Sequence, residues 1–329
     1  MLFNNVIAID LGTNNTKIYK KSKGIVLDEK TSVTVDEKKN IIETGNSSFE
    51  MFEKTPAGKK VVFPLKGGVI ADFNNMTKLT NAFFKKIKYT NGLLKKCKIY
   101  VAVPIDISEV ERKAFIDLMY SSKISVKDVV TIPKPIAAAL GAGIDTASPQ
   151  GHMTVDIGAD TTEIAVISLG GIVTGKLLKI GGNKLTESLL SFVKKNYNLV
   201  IGFKTAEYLK LNVCSACNNN FQEVDITGRD IVTGLPKTIK MSSVDILNPM
   251  EEYLYEIIDA IKYILEKTPP ELSADIIETG IYITGGGAQL DTFDLLISKE
   301  TGLAVHKTTE PNFNVINGLG KILGDSISH

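Results

Sequence analysis

A short pattern occurs twice in this chain, and that repeat constrains the fold more than any other feature. Val6-Ile-Ala-Ile-Asp10-Leu-Gly12-Thr13-Asn14-Asn15-Thr16-Lys-Ile18 returns 146 residues later as Met153-Thr-Val-Asp156-Ile-Gly158-Ala159-Asp160-Thr161-Thr162-Glu-Ile164. Each copy reads as a β-branched strand, a tight turn opening on Asp-x-Gly, and a second strand. Such a turn aims several backbone N–H groups at one spot and so makes an anion nest. An aspartate at the strand end can hold a hydrated Mg²⁺. Two copies predict two similar halves whose turns clamp a polyphosphate and its metal. The plain alternative is a duplicated hairpin in which glycine serves only the turn.

A third glycine cluster completes the pattern. Ile281-Tyr-Ile-Thr284-Gly285-Gly286-Gly287-Ala288 reads as a buried strand running into three glycines, followed by a helix from Gln289 to about Ser298. Glycine there lets backbone approach a flat ligand closely, and a helix N-terminus favours negative charge. Near the C-terminus, Gly318 and Gly320 begin a short helix whose small residues permit close packing.

Composition sets the class. At 329 residues the chain is long enough for about two domains, because single cores stop growing near roughly 250 residues. A formal net charge of +1 gives no bulk electrostatic case for nucleic acid. No apolar run approaches the ~18 residues of a membrane span. Cys97, Cys214 and Cys217 offer no disulfide framework, which points to a reducing cytosol. Cys214-Ser-Ala-Cys217 has the spacing of half a zinc site, but only one other cysteine and three histidines stand by to complete it. The cations are 36 lysines against Arg112 and Arg229, so bidentate anion clamps are scarce.

Two Asp-x-Gly loops, a triple-glycine loop and two small-residue helices resemble the actin/Hsp70/sugar-kinase ATPase fold. Within it the chain is similar to the MreB family, the bacterial actins that set cell shape. The likeness is carried by Lys23-Gly-Ile-Val-Leu27, Pro64-Leu-Lys-Gly-Gly68-Val-Ile-Ala-Asp72, Val110-Glu-Arg-Lys-Ala114, Ala137-Ala-Ala-Leu-Gly141-Ala-Gly143, Ile180-Gly-Gly182 and Pro269-Pro-Glu-Leu272. It runs from Val6 to Leu323.

The resemblance implies an α/β fold with two RNase-H-like domains around an interdomain nucleotide cleft. Domain I would be 1–141 plus 314–329, with a subdomain near 31–67. Domain II would be 142–313, with a subdomain near 185–244. ATP or ADP would bind through Gly12, Thr13, Asn14 and Asn15, through Gly158, Ala159, Asp160 and Thr161, and through Gly285, Gly286 and Gly287. Asp10 and Asp156 would hold Mg²⁺. Glu207 and Lys210, i and i+3 on one helix face, match the family's positions for ribose and adenine; otherwise they are a solvated ion pair. Ser108-Glu-Val-Glu111 reads independently as a capping box, which makes Glu111 structural. Asn183 reads as the cap of a helix carrying Leu185, Leu189, Phe192, Val193 and Tyr197.

Two departures bear on mechanism. The family carries a glutamate directly before a proline, where it positions the attacking water with a threonine of the second loop. This chain has Lys134 before Pro135, while Thr161 is present. An ammonium has no lone pairs with which to orient water, and losing a positioned base costs about 10²–10⁴-fold in rate. In the second loop, two of the family's three glycines become Ala159 and Asp160. The opposite signs suggest a Lys134–Asp160 pair. The alternatives are direct contact of Lys134 with the γ-phosphate, or drift at a degenerating site.

Phe84 to Lys98 holds six lysines and no acid around Asn91-Gly92, with Leu93 and Leu94 beside that turn. Lysines near an anionic bilayer are worth about 1 kcal/mol each, and two leucines can enter the interface. The family touches membranes with a hydrophobic loop here; the plain alternative is a solvated lysine face whose leucines cap the core. The expected function is an ATP-binding, filament-forming actin of the cell-shape cytoskeleton with weak or absent hydrolysis. It would be cytoplasmic and peripheral on the inner face of the membrane, self-associating, open to cytoskeletal or membrane partners, and without nucleic acid. A chaperone ATPase or a sugar kinase of the same superfamily is the alternative. The lysine-rich, Trp-free composition suits a wall-less host.

Overall fold

Each copy of the repeat opens a five-stranded sheet of the same layout. The structure, a computed structural model, describes residues 6–87, 96–217 and 221–324. It divides into two compact units: 1–149 with 167–172 and 312–329, and 150–166 with 173–311.

In the first unit, β1 (Val6–Leu11), β2 (Asn15–Lys20) and β3 (Gly24–Lys30) form an antiparallel meander. The side chains of β1 are buried on both faces, as befits an inner strand. A small sheet follows, with β4 (Val33–Asp36) between β5 (Ile41–Thr44) and β6 (Lys59–Val62) and with α1 (Asn46–Glu50) after β5. The ribbon of β7 (Leu65–Lys66) and β8 (Val69–Ile70) leads to α2 (Phe73–Lys86). Asp72 caps α2 by accepting from the Asn75 amide, and Met76, Leu79 and Phe83 are buried at helical spacing.

Strand β9 (Cys97–Val103) then runs parallel to β1, and β10 (Val126–Pro133) runs parallel to β9 after α3 (Glu109–Tyr120). The expected capping box opens α3: Ser108 Oγ accepts from the Glu111 amide, and the Glu111 carboxylate accepts from the Ser108 amide. Helix α4 (Lys134–Gly141) packs on the C-terminal helix Asn314–Ile322. A Cβ on Gly141 would stand 1.9 Å from the Asn314 carbonyl oxygen, and one on Gly318 would stand 1.7 Å from that of Ala137. Only glycine permits that approach.

The second unit repeats the plan with β11 (His152–Ile157), β12 (Thr162–Ser168) and β13 (Gly171–Leu178). Then come α5 (Gly182–Tyr197), β14 (Leu199–Val200), α6 (Phe203–Asn212), β15 (Glu223–Asp230), β16 (Pro236–Ser242) and α7 (Ser243–Lys267). Strands β14, β15 and β16 form a small sheet. Helix α8 (Pro270–Thr279) leads to β17 (Ile281–Thr284), α9 (Phe293–Thr301) and β18 (Val305–Lys307), with β17 parallel to both β11 and β18.

Two local expectations are corrected. The triple glycine leads into a short 3₁₀ turn, Gly286–Gln289, and α9 begins only at Phe293. The break arises because Asp291 bridges to Ser215 and Thr292 adopts a left-handed φ of 56°. Asn183 is not a cap either: α5 starts at Gly182, where backbone atoms meet the preceding loop.

Candidate functional site

The first-unit loop is held by its own backbone and by β3. Gly12 N donates to Asn15 O (3.0 Å), and a Cβ on Gly12 would stand 2.6 Å from that oxygen. Thr31 Oγ1 donates to Gly12 O (2.7 Å), and Lys30 Nζ donates to Asn14 Oδ1 and Asn15 Oδ1 (3.1 Å each). The turn is therefore fixed by contacts within the unit.

Asp10 is the penultimate residue of β1, beside this loop, and is buried. Lys134, the first residue of α4, places Nζ 3.3 Å from Asp10 Oδ1 and 3.3 Å from the Leu11 carbonyl oxygen. The cation at the positive end of the helix is thus balanced by Asp10. The sequence assigns that carboxylate to Mg²⁺. An ammonium 3.3 Å from Oδ1 stands where a hydrated divalent ion would need to approach, so the residues present do not fit a metal at Asp10.

The second-unit loop closes in the same way: Gly158 N donates to Thr161 O (2.8 Å). Its other side is sewn to α5, with Gly182 N on Gly158 O (3.0 Å) and Asn183 N on Ala159 O (2.7 Å). Asp160, expected opposite Lys134, accepts at Oδ1 from Asn183 Nδ2 (2.7 Å). An acid at a helix start is favourable there. Neither Ala159 nor Asp160 has a positive φ, so replacing the family's glycines costs no backbone strain. Thr161 is buried at the end of this loop. Asp156 Oδ1 accepts from Thr284 Oγ1 (3.0 Å), which ties β11 to the glycine-rich turn after β17. Gly285 there has φ +80°, and a Cβ on it would stand 2.5 Å from Asp156 Oδ1. Around Gly286 a Cβ would meet nothing within 4 Å, which leaves one open face.

Glu207 and Lys210 on α6 are not a solvated pair. Lys210 is buried, and its Nζ reaches Glu207 Oε2 (2.8 Å), Gly182 O (2.8 Å) and Thr186 Oγ1 (3.0 Å). Burial holds its pKa below the usual lysine value, partly offset by Glu207. Lys210 thereby joins α6 to the first turn of α5. The half zinc site has a structural role: Cys217 N donates to Thr292 Oγ1 (2.9 Å), and burial pushes the Cys214 thiol up to about 12. Leu93 and Leu94 lie outside the described residues, and among those described no helix is long and apolar enough to cross a membrane.

Comparison with known proteins decides the family. The model of the MreB/Mbl protein family matches residues 4–328. The chain belongs to the MreB/Mbl family. It is 40% identical over 324 residues to the cell shape-determining protein Mbl of Bacillus subtilis, covering 98% of this chain and 96% of Mbl. It is 37% identical over 328 residues to the cell shape-determining protein MreB of Escherichia coli, covering 98% and 94%. The crystal structure of MreB 5 of Spiroplasma citri bound to AMPPNP matches with a TM-score of 0.92 at 34% identity, covering 98% of this chain and 96% of that one. A MamK double helical filament matches at 0.80 and 19% identity, covering 98% and 100%, and so shares the fold. The chain is therefore an actin-like protein of the cell shape-determining type.

The missed residue in this MreB/Mbl site is Lys17. It faces Asp10 across the β1–β2 hairpin and is buried. The signal was available: a lysine inside the strand Asn15–Lys20, whose inner positions are all buried, is out of place in a core.

Proposed function

We propose that this chain is an ATP- and ADP-binding, filament-forming actin of the cell-shape cytoskeleton that hydrolyses ATP slowly or not at all. The observation that carries the hydrolysis reading is Lys134, which begins α4 with its ammonium against Asp10. Where a carboxylate would orient water, this position offers only donors. The nucleotide phosphates are held by the backbone at Gly12–Asn15 and Gly158–Thr161, with Glu207 and Lys210 toward the nucleoside. An MreB 5 of known structure binds AMPPNP and ADP at 34% identity, which supports nucleotide binding here. The chaperone and sugar-kinase alternatives are not favoured by a family match that spans 4–328.

Pelleting and phosphate release measured together test this reading. The expected result is ATP-dependent sedimentation with phosphate release about 10²-fold or more below that of a carboxylate-bearing relative. Turnover as fast as such a relative's would refute the impaired-site reading, and failure to pellet would refute the filament. Peripheral attachment to the inner face of the cell membrane through Leu93, Leu94 and the adjoining lysines belongs to the same proposal. Leu93→Ser with Leu94→Ser should release the protein from anionic vesicles; equal co-sedimentation would remove that loop from the account.

A further inference from the structure

The strand registers of the first unit gather cations at one end of its sheet. Val6 pairs with Lys98, Ile7 with Lys20, Lys20 with Gly24, and Cys97 with Val126. The starts of β1, β3, β9 and β10 and the end of β2 therefore lie together. Neighbouring strands are about 4.8 Å apart, which spreads this end over about 19 Å. Along it stand Lys20, Lys21 and Lys23 at the β2–β3 turn, Lys96 and Lys98 at the start of β9, and Lys127 at the start of β10. Lys23 N donates to Lys20 O (2.9 Å) and Lys21 N to Val6 O (3.3 Å), which fixes the turn. Lys21, Lys23, Lys96 and Lys127 are exposed and make no ion pair among the described residues. The acid at these strand ends is Asp128, 3.6 Å from Lys98 Nζ. A Cβ on Gly324 would stand 3.7 Å from Lys21 Nζ, and the next residue in sequence is Asp325. With both aspartates counted, the six lysines still leave this end positive, although the whole chain carries only +1.

We infer that this end of the sheet is a platform for an anionic lipid surface, with Lys21, Lys23, Lys96 and Lys127 meeting the headgroups. The inference rests on the membrane reading above and extends it from one loop to a whole end of the sheet. No arginine stands in the row, so it lacks the planar fork that grips a single phosphate or a guanine edge. Compact ammonium groups on flexible stems suit a diffuse layer of headgroups instead. The segment 84–98, which carries Leu93 and Leu94, enters β9 at this same end and contains no acid. The lysine row and that segment thus join at β9, and interfacial attachment combines cations with apolar groups in this way. Because the rest of the chain offsets the charge of the row, an anionic surface turns this end toward itself.

Co-sedimentation of the full chain with phosphatidylcholine vesicles, with and without phosphatidylserine, tests this. Lys21→Gln with Lys23→Gln, checked for folding by its unfolding transition, should weaken binding to the phosphatidylserine vesicles about twentyfold, because each lysine contributes about fivefold. Lys59→Gln with Lys60→Gln, an equal charge change on β6 of the small sheet, should stay within about threefold of the parent. Unchanged binding by the first pair, or equal losses by both pairs, overturns the inference. Equal binding of the parent to the two kinds of vesicle also overturns it. If the first pair does not fold, Lys127→Gln takes its place, with a loss of about fivefold expected and no loss overturning the inference. A parent that binds neither vesicle sinks the membrane reading and this inference together. If Leu93→Ser with Leu94→Ser keeps full binding while the Lys21 and Lys23 pair loses it, the loop fails and the row stands. Retention of a nucleic acid by the parent but not by the first pair, without vesicle binding, assigns the row to that partner and overturns the inference.

Discussion

In the first unit Asp10, near the end of β1, faces Lys17 across its hairpin and receives a second lysine, Lys134, from α4. In the second unit Asp156, near the end of β11, accepts from the Thr284 hydroxyl, and the residue seven positions on is Glu163, also buried. The two loops close with the same backbone bond, Gly12 to Asn15 and Gly158 to Thr161. What differs is the sign of the charge packed behind each loop. The hairpin needs only its strand pattern and a residue that tolerates the turn, so side chains behind it are free to specialise. The first loop has Lys17 between Asp10 and Asp28 behind it, while the second has been fastened to a helix.

Four experiments break or sharpen this contrast. The largest effect is expected for Lys134→Met, which leaves the carboxylate of Asp10 without its near cation. Breaking a buried pair from one side costs about 3 kcal/mol or more, which urea unfolding reads, and adding Asp10→Asn should recover most of it. Additive losses would mean that the two side chains do not act as a pair. No comparable loss is expected on removing the hydroxyl that Thr284 donates to the matching second-loop aspartate, Asp156.

Next come the turn glycines. A Cβ on Gly12 would stand 2.6 Å from the Asn15 oxygen, but one on Gly158 would stand 3.0 Å from that of Thr161. Gly12→Ala should therefore cost about 2 kcal/mol and Gly158→Ala about 1 kcal/mol. Equal costs would show that the first loop is no tighter than the second. Asn183→Ala should cost about 1 kcal/mol, by freeing the Asp160 carboxylate from its amide at the start of α5. A neutral result in thermal unfolding would remove that tie from the description of the second loop.

The smallest effect concerns pH. Burial holds the Lys210 pKa below its ordinary 10.5. The unfolded chain therefore binds the extra proton between the folded-state value and 10.5, and stability rises with pH across that window. Lys210→Met should flatten the rise in a urea series at alkaline pH. A slope unchanged by the substitution would assign it to other groups.

Much of this molecule was legible because strand patterning, glycine and capping chemistry are local. The repeat around Asp10 and Asp156 announced two sheets of one plan, and Ser108 with Glu111 announced a helix start. The departure at Lys134 could be read from the residue before Pro135. Less local features were missed. The helix after Gly287 starts late because a bridge from Ser215 to Asp291 intervenes, and Asn183 bonds to Asp160 rather than capping.

The sequence by itself determined the duplicated hairpins, the two small-residue helices and the absence of a carboxylate at position 134, since each is written in residues close along the chain. Only the tertiary structure decided which charges meet. Lys134 is 124 residues from Asp10, and Lys210 is 28 from the Gly182 carbonyl it caps. An ammonium takes the nearest acceptor that folding brings within about 3 Å, because charge-assisted bonds are short and their strength falls off steeply with distance and angle. The sequence holds both partners of such a bond, but their distance exists only once the sheet and helices have packed.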